Sequence, residues 1–480
     1  MSPTSPPSSP LSHPAPKPVP LSLPEAIAHS DALAAAGRHA ESEALSRSIL
    51  VSLPDQPDAL VQVARALIQR GECNEAERLL ERAHALRPQC AATAFYLGRA
   101  AHERRNYTLA LSCFRYALAL HPALATAWHW LGMTEEHRGQ VDTALTAFRN
   151  AHALVPDNSN HLWFTAFALM KLGSFVEGLR LYAHIYSTAT RHEDSFPRPH
   201  WDGRPRPGAV IIVVADGGFG DIIHAMRYTR FLKEWGMRVV IHCRPPLQRL
   251  LASVPFVEEV TVYGSPVPEH DVYARLHDLL PVIGTNAETI AATVPPGGVY
   301  CFAEPALQQA WAARLPPFAG LSVGLVWAGD SRNPNDHTRS IPLAKLAPLG
   351  ALRGVRFISL QLGAAAGQAQ TPPPGLALLD LTSEITDFAD TAALITHLDL
   401  VISVDTSVIH VAGALGKPVW ALLAAASDWR WLLNRDDTDW YPSMRLFRQP
   451  ELHRWEPVIN RVAGELAAWV ARDRGKLLGE

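Results

Sequence analysis

Three side chains that carry oxygen atoms follow an apolar run in the C-terminal part of the chain: Asp405, Thr406 and Ser407. The apolar residues before them, 398–404, are rich in β-branched side chains and predict a buried parallel strand. The small residues after them predict a helix over about 408–415. The free N–H groups and the dipole at the start of such a helix suit a phosphate group, and His410 can face the same pocket. An ordinary Asp or Thr N-cap in front of a buried histidine is the alternative.

A second candidate follows an earlier apolar run, residues 209–215. Its glycines allow a tight turn and a close approach of the backbone to a ligand: Gly217, Gly218 and Gly220. Asp221 then stands at the start of a predicted helix, where an N-cap role is again the alternative. The spacing does not match the dinucleotide-binding fingerprint, because Ile223 stands where that motif requires glycine or alanine.

A third group of polar residues follows two further predicted strands. Arg339 lies in a long polar loop after residues 322–327, and a guanidinium group can bind a diphosphate through two parallel hydrogen bonds. Ser359 and Gln361 end the next strand, where their hydroxyl and amide groups could meet a nucleoside. Because ligands bind beyond the carboxyl ends of parallel strands, these groups together predict a nucleotide-diphosphate site.

The elements that must position these residues alternate between strand and helix patterns from residue 209 onward. Such alternation predicts parallel sheets covered by helices on both faces. A segment at 295–300 and a helix at about 303–315 divide the strands into two groups, which favours two Rossmann-like halves around a cleft. The predicted strands are 209–215, 238–242, 259–263, 322–327, 355–360, 376–381, 398–404 and 419–423.

The N-terminal part of the chain has a 34-residue period, marked by Pro54, Pro88, Pro122 and Pro156. Recurrent small residues between these prolines resemble the tetratricopeptide repeat, a pair of antiparallel helices that stacks into a curved solenoid. The segments 57–90, 91–124 and 125–158 match the pattern well. The repeat at 23–56 has Ser42, and the repeat from 159 has Gly178, where the pattern has alanine. Such a solenoid favours partner binding, with a spacer or dimerisation arm as the alternative.

Composition narrows the class of protein. The chain has 480 residues, 48% of them hydrophobic and 19% charged, which indicates a soluble protein of two or three domains. A net charge of −3 gives no basic surface for nucleic acid, and no apolar run has transmembrane length. The five scattered cysteines are typical of a reducing compartment, and the proline-rich start lacks the apolar core of a signal peptide. We therefore expect a cytoplasmic protein.

Residues from about 208 to 450 resemble the two-domain glycosyltransferases of the GT-B fold, and most closely the heptosyltransferase-like family. That family has a Gly-Asp pair at the first strand end, matched here by Gly220 and Asp221, and an Asp-Thr-small-x-x-His motif, matched by 405–410. The resemblance implies that Asp221 is the general base and that the second half holds the nucleotide sugar. The family's lysine near the phosphates is replaced here by Arg339, and a frequent glutamate by Gln361.

The donor-binding and phosphate-binding residues predicted in this way are Gly218, Gly220, Arg339, Gln361, Asp405, Thr406, Ser407 and His410. The resemblance also implies an inverting transfer with no metal and no cofactor besides the nucleotide-sugar substrate. Asp437 and Asp439 form a superficial DxD metal motif that we interpret as a solvated turn. The nearby aromatic residues could stack on a sugar, although core burial is favoured: Trp429, Trp431, Trp440 and Tyr441.

The chain is predicted to begin with a disordered tail (1–22) and a repeat domain (23–190), followed by a linker (191–208) with Trp201 as docking anchor. An acceptor half (209–302) and a nucleotide-sugar half (303–480) then complete the predicted order. The whole resembles bacterial repeat-containing transferases, some of which modify proteins such as flagellins. We expect a glycosyltransferase whose repeats recruit a protein acceptor, or join copies of the chain. An enzyme for lipopolysaccharide or another glycan, and a scaffold with an inactive transferase domain, are the alternatives.

Overall fold

The computed structural model describes residues 22–188, 196–333 and 336–478. Residues 1–21 of the predicted tail and residues 191–195 of the predicted linker lie outside these ranges. The chain divides into two compact units between Trp130 and Leu131, so the boundary falls inside the repeats. The second unit therefore contains the last repeats as well as the α/β region.

Ten helices form the N-terminal repeats in the described residues, and they confirm the five predicted helix pairs. They are α1 (Leu23–Ala35), α2 (His39–Ser52), α3 (Pro57–Gln69), α4 (Cys73–Leu86), α5 (Ala91–Glu103), α6 (Tyr107–Leu120), α7 (Ala125–His137), α8 (Val141–Leu154), α9 (Ser159–Lys171) and α10 (Phe175–Thr188). A Cβ atom on Gly98 would lie 2.7 Å from the Phe114 ring, so the small residues of the repeat allow paired helices to approach closely.

The two departures from the repeat pattern have local explanations. Ser42 is buried, and its hydroxyl oxygen lies 2.9 Å from that of Ser30, so hydrogen bonds replace the apolar contact of an alanine. Gly178 allows α10 to lie against α9, since a Cβ atom there would lie 2.5 Å from the Met170 side chain. Both substitutions therefore keep the helix pairs intact.

The first half of the α/β region has a four-stranded parallel sheet with strand order β3-β2-β1-β4. Its strands are β1 (Val210–Val214), β2 (Arg238–Cys243), β3 (Glu259–Val262) and β4 (Val272–Arg275). Its helices are α11 (Phe219–Ala225), α12 (Thr229–Glu234), α13 (Gln248–Leu251), α14 (Leu279–Val282) and α15 (Ile290–Thr293).

The second half has a six-stranded parallel sheet with strand order β10-β9-β8-β5-β6-β7. Its strands are β5 (Leu321–Val326), β6 (Val355–Ser359), β7 (Leu378–Leu379), β8 (Leu400–Val404), β9 (Val419–Leu423) and β10 (Met444–Arg448). Its helices are α16 (Pro305–Arg314), α17 (Asp336–Arg339), α18 (Phe388–Thr396), α19 (Ser407–Ala414) and α20 (Glu456–Leu478). Two doubly wound parallel sheets are consistent with the predicted GT-B fold.

Two strands of these sheets, β4 and β10, are absent from the sequence prediction. Each is short and lies at a sheet edge, and each contains arginine, which weakens the apolar signal of a buried strand. In β10 the Arg445 side chain pairs with Glu465 of α20 at 2.8 Å. This charged position of the strand is therefore satisfied by a tertiary contact.

The last repeat helix packs into the core of the α/β region. Its apolar residues Phe175, Leu179 and Tyr182 are at most 5% exposed and share one core with β1 and α11. Trp201 is also buried, and its backbone N–H donates to the Tyr273 carbonyl of β4 at 2.7 Å. This confirms Trp201 as an anchor. The final repeat is thus a structural part of the α/β region as well as the end of the solenoid.

Candidate functional site at the carboxyl ends of the two sheets

A cavity of about 1100 Å³ lies beyond the carboxyl ends of β1, β5, β6 and β8. Its walls come from both α/β halves, and this is the place where doubly wound sheets bind ligands. The volume lies slightly above the usual range for small-molecule sites, which is about 300–1000 Å³. The predicted site residues that line it are Gly218, Gly220, Asp221, Arg339, Gln361, Asp405, Thr406, Ser407 and His410.

Asp405 lies in the turn between β8 and α19. Its Oδ2 accepts a hydrogen bond from the Trp431 indole N–H at 2.8 Å. Burial, and then the charge of Asp428, raise the pKa of Asp405 to about 6, against the opposing effects of Arg339 and Trp431. Thr406 is the N-cap residue of α19, and its hydroxyl lies 3.2 Å from that of Ser403. The hydroxyl of Thr406 therefore does not cap the helix N–H groups, which is compatible with an incoming ligand doing so.

Arg339 ends the short helix α17 and reaches across to the same turn. Its Nη1 donates to the carbonyl oxygen of Asp405 at 2.7 Å, and its Nε donates to Asp336 at 3.1 Å. Gly329 makes room for it, because a Cβ atom there would lie 2.6 Å from the Arg339 Nη2 atom. These contacts hold a guanidinium group on the cavity wall next to the start of α19.

Gln361 follows β6 and is only 2% exposed. Its Oε1 accepts from the backbone N–H groups of Trp327 and Ala328, at 3.0 and 2.8 Å. Its Nε2 donates to the carbonyl oxygens of Ala328 and Leu362, at 3.0 and 2.8 Å. These four bonds occupy the donors of the amide, so Gln361 holds the loops after β5 and β6 together in this arrangement.

Asp221 lies in the first turn of α11, on the opposite wall of the cavity. Its Oδ2 accepts from the Gly218 backbone N–H at 3.2 Å, which closes the turn at the start of the helix. Gly220 lies against α19, since a Cβ atom there would be 2.7 Å from Cδ2 of His410. The Gly-Asp pair and the Asp-to-His motif, which are far apart in sequence, therefore meet at one contact between α11 and α19.

Arg430 is the main site residue that sequence reasoning missed. It is 6% exposed, and its guanidinium donates to Asp221 at 2.5 Å and to Asp428 at 2.9 Å. Burial would raise the pKa of Asp221, but the charge of Arg430 and weaker effects of His277 and His410 lower it below its usual value. An arginine between Trp429 and Trp431, in a segment rich in apolar residues, was the available signal.

His410 completes the site from α19. Its ring stacks on that of Trp431 at a centroid distance of 5.6 Å, and its Nδ1 lies 2.9 Å from the hydroxyl of Tyr441. Burial, and then the charge of Arg430, lower the pKa of His410 to about 3, so the ring is neutral at physiological pH. The four aromatic residues named in the sequence analysis are at most 1% exposed, which confirms that they are core residues: Trp429, Trp431, Trp440 and Tyr441.

The acidic turn after this aromatic segment lies apart from these contacts. Asp437 and Asp439 both pair with Arg435, at 2.7 and 2.6 Å, and Asp437 is 75% exposed at its side chain. This agrees with the interpretation of the turn as solvated. In the described ranges, no group of three or more His, Cys, Asp or Glu side chains has a geometry that could hold a metal ion.

Segments in both parts of the chain match known protein families. Residues 63–125 and 103–159 match the tetratricopeptide repeat model. Residues 379–450, which contain the Asp-to-His motif and Arg430, match glycosyltransferase family 9 (heptosyltransferase). The N-terminal part of the chain is thus similar to tetratricopeptide repeats, and the C-terminal part is similar to glycosyltransferase family 9 over these residues.

Among curated proteins, the chain is similar to protein FlbA of Caulobacter vibrioides. The two are 27% identical over 334 residues, which are 63% of this chain and 54% of FlbA. The chain therefore spans about half the length of this relative.

Among solved structures, the chain is similar to MamA, with 18% identity, a TM-score of 0.30, and coverage of 35% of this chain and 95% of MamA. It is also similar to a thermophilic TPR protein of Thermus thermophilus, with 23% identity, a TM-score of 0.31, and coverage of 35% and 92%. None of the helices in the described ranges combines the length and apolar composition that a membrane crossing requires.

Proposed function

We propose that the protein transfers a sugar from a nucleotide-sugar donor to a hydroxyl group of a protein that the repeats recruit. The observation that carries this proposal is the meeting of Asp221 with the Asp-to-His motif across one cavity. That arrangement places a carboxylate, paired with buried Arg430, opposite a helix start and Arg339, within hydrogen-bonding networks that hold all of them in place.

The donor binds on the α19 side of the cavity. The start of α19 and the guanidinium group of Arg339 supply N–H donors on this wall, which suits the diphosphate of a nucleotide sugar. The same groups stabilise the charge that develops on the diphosphate as it leaves. Gln361 supports this wall through its bonds to the loops, so its contribution is to position the site.

The acceptor hydroxyl approaches from the Asp221 side. Its oxygen forms a bond to the anomeric carbon while the bond from that carbon to the diphosphate breaks and the electron pair leaves with the nucleoside diphosphate. Asp221 takes the hydroxyl proton, and attack from the face opposite the leaving group inverts the configuration. Arg430 keeps Asp221 ionised and oriented, so Asp221 holds no proton of its own before the reaction.

A panel of nucleoside diphosphates and nucleotide sugars tests the donor site by thermal shift. We expect stabilisation by one nucleotide class, since a ligand at one hundred times its Kd adds about 2.7 kcal/mol. Arg339→Ala should reduce this shift. Arg314→Ala removes an arginine of the same half that lies outside the cavity and pairs with Glu384, so it should leave the shift unchanged. No stabilisation by any nucleotide would favour the alternative of an inactive scaffold.

Asp221→Asn tests the proposed base. The asparagine oxygen can still accept a hydrogen bond from Arg430, so we expect nucleotide binding to persist while sugar transfer falls by a factor of about 10² or more. Transfer to cell-lysate proteins, measured with a radiolabelled donor that the panel selects, is the readout. Transfer that survives the substitution would contradict the role of Asp221. Transfer to glycolipid alone would favour the glycan-directed alternative.

A further inference from the structure

We propose that His410 binds the nucleoside diphosphate through an Nε2–H group, and that Arg227, Tyr300 and Tyr441 hold its ring in that tautomer. The inference rests on the proposed function for the identity of the ligand, but the tautomer itself belongs to the protein without ligand. It assigns a role to Arg227, Tyr300 and Tyr441, which the proposed reaction does not otherwise use.

The three positioning residues form a buried chain of hydrogen bonds that ends at His410. Nη2 of Arg227 donates to the hydroxyl oxygen of Tyr300 at 3.1 Å. The Tyr300 hydroxyl lies 3.2 Å from that of Tyr441, which lies 2.9 Å from Nδ1 of His410. The four residues that these hydrogen bonds connect are at most 5% exposed, so the bonds do not compete with bulk water.

The direction in which these hydrogen bonds donate follows from Arg227, the first residue of the hydrogen-bond chain. Arginine has donors and no acceptor, so the Tyr300 oxygen must accept from Arg227. If Tyr441 donated to Tyr300 instead, the Tyr300 oxygen would accept from both Arg227 and Tyr441 and its own buried proton would have no acceptor in this series, which is energetically costly. The favoured arrangement therefore has Tyr300 donating to Tyr441, and the Tyr441 hydroxyl, which has one proton, donating to His410. Nδ1 of His410 is therefore an acceptor, and the single proton of the neutral ring lies on Nε2.

Arg227 is held firmly in the orientation in which its Nη2 donates to Tyr300. Its Nη1 donates to the Trp440 carbonyl oxygen at 2.5 Å and its Nε donates to the His224 carbonyl oxygen at 2.9 Å. Its guanidinium carbon also lies 4.5 Å from the centroid of the Tyr441 ring. A cation fixed by carbonyl oxygens and an aromatic face keeps donating to Tyr300, so the reverse direction would leave the Tyr300 proton unpaired as long as Arg227 is in place.

The Nε2 edge of His410 faces the cavity wall beside Gly220. A Cβ atom on Gly220 would lie 2.7 Å from Cδ2 and 3.2 Å from Nε2, and His410 itself lines the cavity. Stacking on Trp431 prevents the ring from rotating out of this position. The low pKa of His410 means that the ring donates as a neutral group, because burial and then the charge of Arg430 disfavour its protonated form.

The chemistry of this donor suits a phosphate oxygen of a nucleoside diphosphate. An N–H group donates to a phosphate oxygen in either charge state of the ring, whereas a bare ring nitrogen would repel it. The opposite tautomer would place an acceptor in a cavity that Asp405 and Asp221 also line, and both of these residues are already acceptors when ionised. By setting the tautomer of His410, the hydrogen-bond chain from Arg227 decides whether this ring attracts or repels the diphosphate.

The tautomer can be measured directly in the full chain labelled with ¹⁵N-histidine. Two-bond ¹H–¹⁵N correlations distinguish protonated from unprotonated ring nitrogens, and His410→Gln assigns the His410 signal. We expect the wild type without ligand to hold His410 in the Nε2–H form. Tyr441→Phe and Arg227→Met each break the chain while keeping a side chain of similar size, and we expect each to give a mixture of tautomers.

The matched control is Tyr228→Phe, which also removes a buried hydroxyl group from the α/β region. The Tyr228 hydroxyl accepts from Thr285 at 3.0 Å and is not part of the chain, so the control should keep the Nε2–H form. With the nucleoside diphosphate that binds best among UDP, GDP, CDP, ADP and dTDP, calorimetry should show about tenfold weaker binding for Tyr441→Phe and an unchanged Kd for the control.

The outcomes separate this inference from the proposed function. An Nδ1–H signal for His410 in the wild type overturns the inference, whatever the protein binds. An Nε2–H signal that persists in both Tyr441→Phe and Arg227→Met shows that the chain does not set the tautomer and overturns it as well. If the tautomer behaves as expected but no diphosphate binds to the wild type, the proposed function fails, while the conclusion that Arg227, Tyr300 and Tyr441 set the tautomer of His410 stands.

Discussion

At the scale of single residues, the site depends on acidic groups whose environments differ. Asp221 is kept ionised by a buried arginine, whereas burial and a neighbouring carboxylate raise the pKa of Asp405 to about 6. Sequence analysis identified both residues, because each follows an apolar run closely. It did not identify Arg430, because the ion pair that makes this arginine important joins residues 209 positions apart.

The substitution Asp405→Asn should change how stability depends on pH. Asp405 binds its proton more tightly in the folded protein, so its stabilising contribution is present below the unfolded pKa and is lost as the pH rises through about 6. Asparagine cannot ionise and can still accept the bond from Trp431. Between about pH 4 and about pH 8, the variant should therefore gain on the order of 2 kcal/mol relative to the wild type.

Thermal unfolding of both proteins across this pH range measures the difference. The comparison cancels the titration of all other groups, as long as their environments stay the same. A difference in Tm that does not change with pH would contradict the raised pKa of Asp405.

At the scale of elements, the contact between α11 and α19 brings the two polar turns of this site together. Helix α11 follows β1 of one sheet and helix α19 follows β8 of the other, and Gly220 lies where the two helices touch. Strand periodicity placed most of these elements correctly. The edge strands β4 and β10 were missed because their arginines mask the apolar pattern, and only their tertiary partners make burial possible.

Gly220→Ala tests this contact. The new Cβ atom would overlap the His410 ring and push α11 from α19, so we expect a loss of about 1–3 kcal/mol in stability together with weaker nucleotide binding. Gly464→Ala is the matched control within α20, where a Cβ atom meets nothing within 4 Å. Because alanine favours a helix over glycine, the control should stabilise the protein by about 0.5–1 kcal/mol.

Urea denaturation of the two variants, with nucleotide affinity measured alongside, makes this comparison. If Gly220→Ala were as stable as the wild type and bound nucleotide equally well, close approach of the two helices would not be needed for the site.

At the scale of the whole molecule, the boundary between compact units does not coincide with the boundary between repeat and α/β sequence. The sequence predicts a change of domain after residue 190, whereas the compact units divide after Trp130. The reason is that α10 buries Phe175, Leu179 and Tyr182 in the core of the α/β region. The last repeats therefore stabilise the domain that carries the site.

Two truncated chains test this dependence. A chain that begins at residue 125 keeps α7 to α10 and should retain cooperative unfolding and the nucleotide-induced thermal shift. A chain that begins at residue 196 removes α10 and exposes the surface that its apolar residues cover, so we expect aggregation or a loss of cooperative unfolding.

Calorimetry and the thermal-shift assay on both chains give the answer. A chain from residue 196 that unfolds cooperatively and binds nucleotide like the longer one would show that the α/β region does not need the last repeat.

The sequence by itself determined the repeats, the alternation of strands and helices, and most of the residues that line the cavity. These features are local, because a 34-residue period, an apolar run and a polar strand end are all visible in neighbouring residues. Only the tertiary structure decided that Arg430 holds Asp221, that Gln361 uses its amide to bind loops, and that Arg227 reaches His410 through two tyrosines. These roles depend on hydrogen bonds and charges between distant segments, which no local pattern encodes.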